Sequence, residues 1–514
     1  MIDSMSNFSL SFCQRLRTFL VFGKKSANTF ICTINTNLKK KKEKEIRTVN
    51  LKAMFSAKDM TLGSPAKRIM EFAIPMLLGN FAQQLYNTAD SIIVGKFVGD
   101  NALGAVGSAM PILNLLLALF VGIATGAGIV VSQSFGARDR EGLSKAVGNC
   151  ITLSFIATGV IMVIGPLVTM PLLTLLGTPD SIISWCAQYL NIYFIGIVGF
   201  FLYNMLSGVL RGLGDSISAL GFLLLAAALN VVLDLWFVRS MGVAGVALAT
   251  VISQGISSVF CYWKLNRMSD VFDMGWRQMK LIPAVAGRIL RIGIPSGITQ
   301  AIMATAGMVV LNLTNAMGET VIACNVIVMR VDGFAMLPNM TFGQAMSVYT
   351  GQNVGAAKFD RVHKGVKQGG LIAAAFSTAI TLTLLFLSPI LFGFFTETES
   401  LIELATRMIR IMAVGYICIS VTQVLGGVMR GAGDTVTPMW ISIISTIIIR
   451  VPTAYIVAYL TRSAEYPHGQ PIALFGSLMF SWVMGMIISV VIFSMGKWKK
   501  KMYAAHPTMI EVTE

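Results

Sequence analysis

Five polar residues in the first half of the chain lie inside otherwise apolar segments, and their types and spacing suit cation binding. Tyr86 and Asp90 are four positions apart, as are Asn230 and Asp234, so each pair shares one face of a helix. Thr250 adds a hydroxyl group further along. Hard cations such as Na+ prefer oxygen ligands, and two neighbouring buried carboxylates can share one proton. These residues predict either a Na+ site at Asp90, Asn230, Asp234 and Thr250, with Tyr86 beside it, or a proton-sharing carboxylate pair.

Both carboxylates have an alternative interpretation as residues near the membrane surface. Asp90 comes about twenty residues into its apolar segment, and Trp236 and Arg239 follow Asp234, as is typical where a helix leaves the membrane. The second half has no acidic counterpart, because Val309 or Val310 aligns with Asp90 and Thr453 with Asp234. The sequence therefore predicts a single coupling site, in the first half of the chain.

A second group of polar residues at membrane depth is expected to line a substrate cavity. Its members are Gln83, Asn87, Arg330 and Asp332. Arg330 and Asp332 are two positions apart and face different ways on a helix, so each needs another partner. Arg450 precedes Pro452, and we expect its side chain to bind backbone carbonyls that the proline leaves without a donor.

The elements that hold these residues must be membrane-spanning helices. Of 514 residues, 55% are hydrophobic and only 12% are charged, against about 25% in soluble domains. About twenty apolar residues cross a bilayer core, and twelve such stretches follow residue 69. They are 70–95, 105–131, 147–174, 186–208, 218–238, 243–263, 289–314, 321–349, 368–394, 405–428, 437–460 and 472–495. The composition excludes a soluble enzyme and predicts an all-α membrane protein.

The basic residues predict how these helices are oriented. With the N-terminus in the cytoplasm, 33 of the 40 lysines and arginines fall on the cytoplasmic side and five on the opposite side. Basic residues concentrate on the cytoplasmic side of membrane proteins. We therefore expect a multi-pass protein of the cytoplasmic membrane with both termini in the cytoplasm. The net charge of +16 belongs to these loops and tails, and predicts no nucleic-acid partner.

The chain is an internal duplication. Residues 206–215 read LSGVLRGLGD and residues 425–434 read LGGVMRGAGD, with seven of ten positions identical at an offset of 219. Six helices per half return the chain to the same side, so the halves are parallel repeats, as in transporters with two lobes around a central cavity. We predict a first lobe at 60–264, a linker at 265–287, a second lobe at 288–496 and a tail at 497–514. Residues 1–59 are expected to be a disordered tail or to precede the true translation start.

The repeated RGxGD motif is interpreted as a structural element. Its glycines allow a tight turn between helices, and Asp215 and Asp434 can cap the helices that follow. Arg211 and Arg430 are expected to reach phospholipid or the last carbonyls of the preceding helix.

Several motifs resemble the multidrug and toxic compound extrusion (MATE) family. They are GNFAQQLYNTADSIIVGKFVG, the pair SQSFGARD and GQNVGAAK, the pair VLRGLGDS and VMRGAGDT, and GVAGVALATVIS. The resemblance implies a twelve-helix, two-lobe exporter that couples efflux of cationic or amphipathic compounds to entry of Na+ or H+. In bacterial branches it implies a cation site in the first lobe, which corresponds here to Asp90, Asn230, Asp234 and Thr250. Other branches carry an acidic residue on the seventh helix, and this sequence has none there.

Two other transporter classes remain as alternatives. A lipid-linked-sugar flippase of the same superfamily is expected to line its cavity with several cationic residues, and only Arg330 and Arg450 are available. A major facilitator would carry further arginines in the loop after the second helix, where Gly136–Gly142 departs from that pattern. The sequence shows no catalytic constellation and no His or Cys cluster for a transition metal. We predict a monomeric transporter of small organic molecules with H+ or Na+ as coupling ion and no other cofactor.

Overall fold

The computed structural model describes residues 56–97 and 100–504. Within that range the side chains of Asn87, Asp90 and some of their neighbours lie outside the described part. The described chain from Ala57 onward forms one compact unit, and its regular elements are all helical. The prediction of an all-α protein is confirmed.

Each of the twelve predicted spans is a helix or a pair of helices. We number them α1 to α12 and give the halves of broken spans the letters a and b. They are α1 Pro65–Phe97, α2 Asp100–Gly136, α3 Arg140–Leu175, α4a Asp180–Ile195, α4b Ile197–Gly212, α5 Ser216–Met241, α6 Val243–Asn266, α7 Pro283–Ala316, α8 Glu319–Gly355, α9 Phe359–Gly393, α10a Glu399–Ala413, α10b Gly415–Gly431, α11a Val436–Ser442, α11b Val451–Leu460 and α12 Ile472–Ser494, followed by a short α13 Lys497–Ala504.

The breaks in these helices have local causes. The fourth span bends by 53° at Gly196 and the tenth by 43° just before Gly415, and these two glycines occupy equivalent positions of the two repeats. In the eleventh span a π-helical stretch, Ile443–Arg450, separates α11a from α11b. Pro452, two residues after this stretch, cannot donate a backbone hydrogen bond, so the α-helical hydrogen-bond pattern is interrupted there.

The helices are long and apolar enough to cross a membrane. In the described residues nine helices pass this test singly, and the two bent pairs bring the number to eleven. The described part of α1 is not among them. Large apolar side chains such as Leu167, Leu175 and Phe386 are exposed on the outside of the bundle, where lipid would cover them.

The two repeats form two packed cores that meet along a glycine-rich contact. One core is built mainly from α2 to α6 and another from α8 to α12, and a third cluster joins the start of α1 to the ends of α8 and α10b. Between the repeats, Gly122 and Gly126 of α2 lie against the backbone of Gly297 and Gly293 of α7. A Cβ atom at Gly122 would lie 2.1 Å from the Gly297 nitrogen, so only glycine permits this approach.

Candidate functional site

The structure brings three of the predicted cation-site residues together in the first lobe. Asn230 and Asp234 follow one another on the same face of α5 and both are 0% exposed. Thr250, 9% exposed, faces them from α6. The Asn230 Nδ2 atom donates a hydrogen bond to Thr250 Oγ1 over 3.2 Å, and the threonine hydroxyl donates to the Val246 carbonyl over 3.1 Å. This arrangement places carboxylate, amide and hydroxyl groups in one buried location.

Asp234 lies inside the protein and is not at a helix end. Its helix continues for two further turns to Met241, and the neighbouring Trp236 is 72% exposed while Asp234 is completely buried. Asp234 thus occupies the inward face of a helix whose outward face carries the tryptophan, as a buried binding group requires.

The residues predicted on α1 are only partly described. Tyr86 is half-buried on α1, which packs against α5 where Gly79 faces Leu220 and Leu223. The side chains of Asp90 and Asn87 lie outside the described part, so their place at the site stays a prediction.

Gln83 and Arg330 are both exposed, and the described contacts join neither of them to the buried groups.

The oxygen atoms of this group fit a small hard cation. A carboxylate supplies the negative charge that a buried Na+ requires, and the amide and hydroxyl oxygens are ligands of the same hard type. A proton can occupy the same carboxylate instead, since neutralising a buried charge removes its desolvation cost. In the described residues no three His, Cys, Asp or Glu side chains cluster as transition-metal ligands.

The second lobe contains a charged cluster that the sequence analysis did not assemble. The Tyr416 hydroxyl, on α10b, donates a hydrogen bond to Asp332 Oδ1 of α8 over 2.6 Å. Arg450, at the end of the π-helical stretch, carries the opposite charge nearby, but no ion pair joins it to Asp332 in the described residues. Arg450 Nε is buried without a hydrogen bond to another described residue. Arg450 thus lies near Asp332 without contacting it, and its Nε does not make the predicted hydrogen bond to a carbonyl freed by Pro452.

A signal for this cluster was present in the sequence. Asp332 and Arg450 carry opposite charges inside predicted spans, and ionisable groups at membrane depth usually pair with one another. The missing information was that α8 and α10b pack against each other, which spacing along the chain does not reveal.

A polar cavity lies beside this cluster. It has a volume of about 110 Å³ and is bounded by α2, α7, α8, α10b, α11 and α12. Its walls carry amides, hydroxyls, thioethers, one indole and the Arg430 guanidinium, and they include Gln300, Gln344, Gln423, Thr422, Met340 and Trp482. Asp332 lies two turns from Met340 on the same side of α8, and the Trp482 ring packs 5.3 Å from that of Tyr416. The charged cluster thus adjoins the wall of the cavity.

Two glutamines at equivalent positions of the repeats join the lobes at one end of the bundle. This end carries the loop 213–215 and the basic loops 137–139, 267–282 and 356–358, and we call it the basic end. Gln133 Nε2 donates to the Gly431 carbonyl over 2.8 Å, and Gln352 Nε2 donates to the Gly212 carbonyl over 3.0 Å. Each glutamine of one repeat thus binds the RGxGD turn of the other repeat.

Two further hydrogen bonds complete this connection, which we call the glutamine latch and define by Gln133 and Gln352. Arg288 Nη2, from the start of α7, donates to Gln133 Oε1 over 2.6 Å. The backbone nitrogen of Met60, just before α1, donates to Gln352 Oε1 over 2.8 Å. The latch closes the basic end of the two-lobe structure.

The RGxGD turns have the geometry predicted for them. Gly214 and Gly433 adopt positive φ angles of 82° and 91°, which glycine tolerates best. Asp215 accepts hydrogen bonds from the Ser218 backbone nitrogen over 2.9 Å and from its hydroxyl over 2.6 Å, so it caps α5 as predicted. Asp434 makes the corresponding contacts with the backbone nitrogen and hydroxyl of Thr437.

The expectation for the two arginines of this motif is wrong. Arg211 and Arg430 turn inward and line a cavity between the lobes, and neither donates a hydrogen bond to a helix carbonyl of the described residues.

The chain is similar in sequence to a known protein family and to its curated members. The MatE family model matches the chain twice, at residues 75–236 and 295–456, which reproduces the duplication seen in the sequence. The probable multidrug resistance protein YoeA of Bacillus subtilis is 29% identical over 430 residues, which cover 80% of this chain and 93% of that protein. The probable multidrug resistance protein NorM of Thermotoga maritima is 23% identical over 448 residues, which cover 85% and 93%.

A solved structure shares the fold. It is described as an outward-facing conformation of a multidrug resistance MATE family transporter of the MOP superfamily. It superposes with a TM-score of 0.78 at 24% sequence identity and covers 88% of this chain and 99% of that one. The predicted architecture of two repeats is confirmed by this likeness and by the double match of the family model.

Proposed function

Because this chain belongs to the MatE family of membrane transporters, we propose that it exports amphipathic or cationic organic compounds in exchange for Na+ or H+. The observation that carries the coupling part is the buried group of Asp234, Asn230 and Thr250 in the first lobe. The relatives YoeA and NorM bear the name of multidrug resistance proteins, which supports organic compounds as the cargo.

The coupling step is binding of a cation at Asp234. A carboxylate without access to water is costly in its charged form, so a proton or Na+ that reaches it stabilises the local structure. We propose that Asp90, on the neighbouring α1, supplies the second carboxylate. An inward potential contributes about 2.3 kcal/mol per charge per 100 mV to this entry, which is about fifty-fold in a substrate gradient.

The exchange step is alternating opening of the two ends of the bundle. With the basic end in the cytoplasm, as the distribution of lysine and arginine predicts, a closed glutamine latch corresponds to the outward-facing state. Loading of the first-lobe site is then expected to change the packing of α1, α5 and α6 and to favour release of the organic compound outside. Glycine contacts between α2 and α7 allow the lobes to move about a close backbone crossing.

The polar cavity, which is bounded by second-lobe helices and α2 of the first lobe, is proposed to hold the organic compound during this cycle. Its amides and hydroxyls can satisfy polar groups of different ligands, and its methionines adapt to different shapes. Asp332 beside the cavity supplies a negative charge for a cationic ligand, opposite the positive charge of Arg430 in the cavity wall.

Transport in vesicles under separate gradients tests the proposal. Purified protein in liposomes is loaded with a fluorescent organic cation such as ethidium, and an inward Na+ gradient or an inward pH gradient is imposed alone. The proposal predicts efflux driven by at least one of the two gradients. Equal efflux with and without either gradient would contradict coupled export.

A further inference from the structure

Two arginines from equivalent positions of the repeats line one small cavity between the lobes. Arg211 comes from the RGLGD turn of the first repeat and Arg430 from the RGAGD turn of the second. The cavity has a volume of about 40 Å³ and is also bounded by α1, α2 and α8. It lies on the inner side of the glutamine latch, whose acceptor carbonyls belong to the residues that follow the two arginines.

The structure supplies no counter-charge for these arginines among the described residues. No acidic side chain lines the cavity, and neither guanidinium forms an ion pair or hydrogen bond with another described residue. The two aspartates of the same motif have other partners. Asp215 caps α5 and lies 4.0 Å from Lys264 Nζ, while Asp434 lies 2.7 Å from Lys501 Nζ.

A third polar group in the cavity also lacks a partner. Ser347 of α8 is 3% exposed, and its hydroxyl makes no hydrogen bond to a described residue. Buried polar groups are normally hydrogen-bonded, and each exception requires an explanation. An acceptor placed in the cavity would take a hydrogen bond from this hydroxyl and from both guanidinium groups.

We propose that Arg211 and Arg430 bind a small inorganic anion such as chloride between the two lobes, with Ser347 as an additional donor. Guanidinium groups remain charged in proteins, and both of these line one cavity whose described walls carry no acidic side chain. An anion in the cavity would supply the missing negative charge. A water molecule needs about 10–15 Å³ of such space, so the cavity suits a small ion better than an organic substrate.

The anion would also connect the lobes. Arg211 belongs to the first lobe and Arg430 to the second, so both can contact one ion only while the basic end is closed. A ligand that binds one of two conformations shifts the population toward it. An anion would thus favour the conformation in which the basic end is closed. This effect rests on the proposed transport cycle, whereas the anion site itself does not.

Thermal unfolding in nanodiscs tests the anion site without measuring transport. Wild-type protein in phosphatidylcholine nanodiscs is unfolded in mixtures of sodium chloride and sodium gluconate at constant total sodium. We expect a saturable rise of the unfolding temperature with chloride, and loss of this rise in Arg211→Gln and in Arg430→Gln. Arg138→Gln, which changes an exposed arginine at the same end, should keep it. A temperature independent of chloride in the wild type, or an unchanged chloride effect in both variants, would overturn the proposal.

Bromide gives a second measurement that needs no variant to fold. Crystals of the wild-type protein grown in sodium bromide should show an anomalous peak between the two guanidinium groups, and absence of that peak would overturn the proposal.

Nanodiscs that contain phosphatidylglycerol distinguish a lipid headgroup from a free ion. Stabilisation by this lipid with none by chloride would assign the arginines to a phosphate headgroup and refute a site for a free anion.

Discussion

Replacing both glutamines of the latch with methionine is expected to open the basic end. Gln133→Met and Gln352→Met keep the approximate volume of the side chains but remove every hydrogen bond that these side chains make. The variants leave the turn glycines and the arginines unchanged. A change in the distance between the lobes can then be attributed to the lost hydrogen bonds.

The magnitude follows from the four hydrogen bonds of the latch, which measure 2.8, 2.6, 3.0 and 2.8 Å. Each contributes about 1 kcal/mol when its groups are hydrated in the alternative state. One variant, which loses two bonds, should shift the equilibrium between closed and open forms by about 2 kcal/mol, or about thirty-fold. The double variant should shift it by about 4 kcal/mol, or about a thousand-fold.

Spin labels on opposite lobes report this shift. Glu141→Cys on α3 and Lys364→Cys on α9 place the labels at exposed positions near the basic end. The five cysteines in the described part are buried, so only Cys13 and Cys32 need replacement by serine. Pulsed dipolar spectroscopy should show one short distance in the unaltered protein and a growing long-distance population in the variants.

A matched control separates the latch from general loss of packing. Gln254→Met changes another buried glutamine, on α6 inside the first lobe, and should leave the distance distribution unchanged. If the double variant has the same distribution as the unaltered protein, the reasoning that these hydrogen bonds hold the basic end closed is refuted.

Three further outcomes are expected. Gly122→Ala places a methyl group 2.1 Å from the backbone of α7 and should lower the unfolding temperature. Gly221→Ala is the control, because its Cβ would meet nothing within 4 Å, and it should keep or raise the unfolding temperature. An equal effect of both variants would contradict the close approach of α2 to α7. Asp332→Asn and Tyr416→Phe should each destabilise the protein by about 2 kcal/mol in calorimetric unfolding, because each weakens or removes the hydrogen bond between the two side chains. The double variant should be destabilised by less than the sum, and simple additivity would argue against this hydrogen bond. The Arg140 side chain, at the start of α3, donates hydrogen bonds to the Asp273 carboxyl and holds its pKa below the usual range. The contact therefore stabilises the linker at neutral pH, and this stabilisation is lost as pH falls below about 4. Hydrogen exchange of residues 267–282 should then accelerate, and a flat pH response would contradict this.

The fold was largely predictable because its signals are strong and local. Apolar stretches long enough to cross a bilayer leave few alternatives to helices, and all twelve segments found in this way are helical. The duplicated RGxGD motif fixed the relation of the repeats, and both turns have the capped geometry that their glycine and aspartate residues predict. The helix breaks near Gly196 and Gly415 were not predicted, although the two glycines occupy equivalent positions of the repeats.

The candidate sites were predictable only where their residues share one helix or a motif. Asn230 and Asp234 fall on one face because they are four positions apart, and Thr250 on the adjacent helix completes the group. The pairing of Asp332 with Tyr416 depends on helices that approach each other from distant parts of the sequence. The same holds for Arg211 and Arg430, whose inward direction depends on how the lobes pack and not on the motif.

The measurement that tests the account most directly is gradient-driven efflux by Asp234→Asn in liposomes. Asparagine keeps the shape of the side chain but removes the negative charge, so the variant should fold, bind the organic cation and lose its response to Na+ and pH gradients. Asp180→Asn, which changes an exposed carboxylate at the start of α4a, should transport like the unaltered protein. A gradient response in Asp234→Asn equal to that of the unaltered protein would contradict coupling through the first-lobe site.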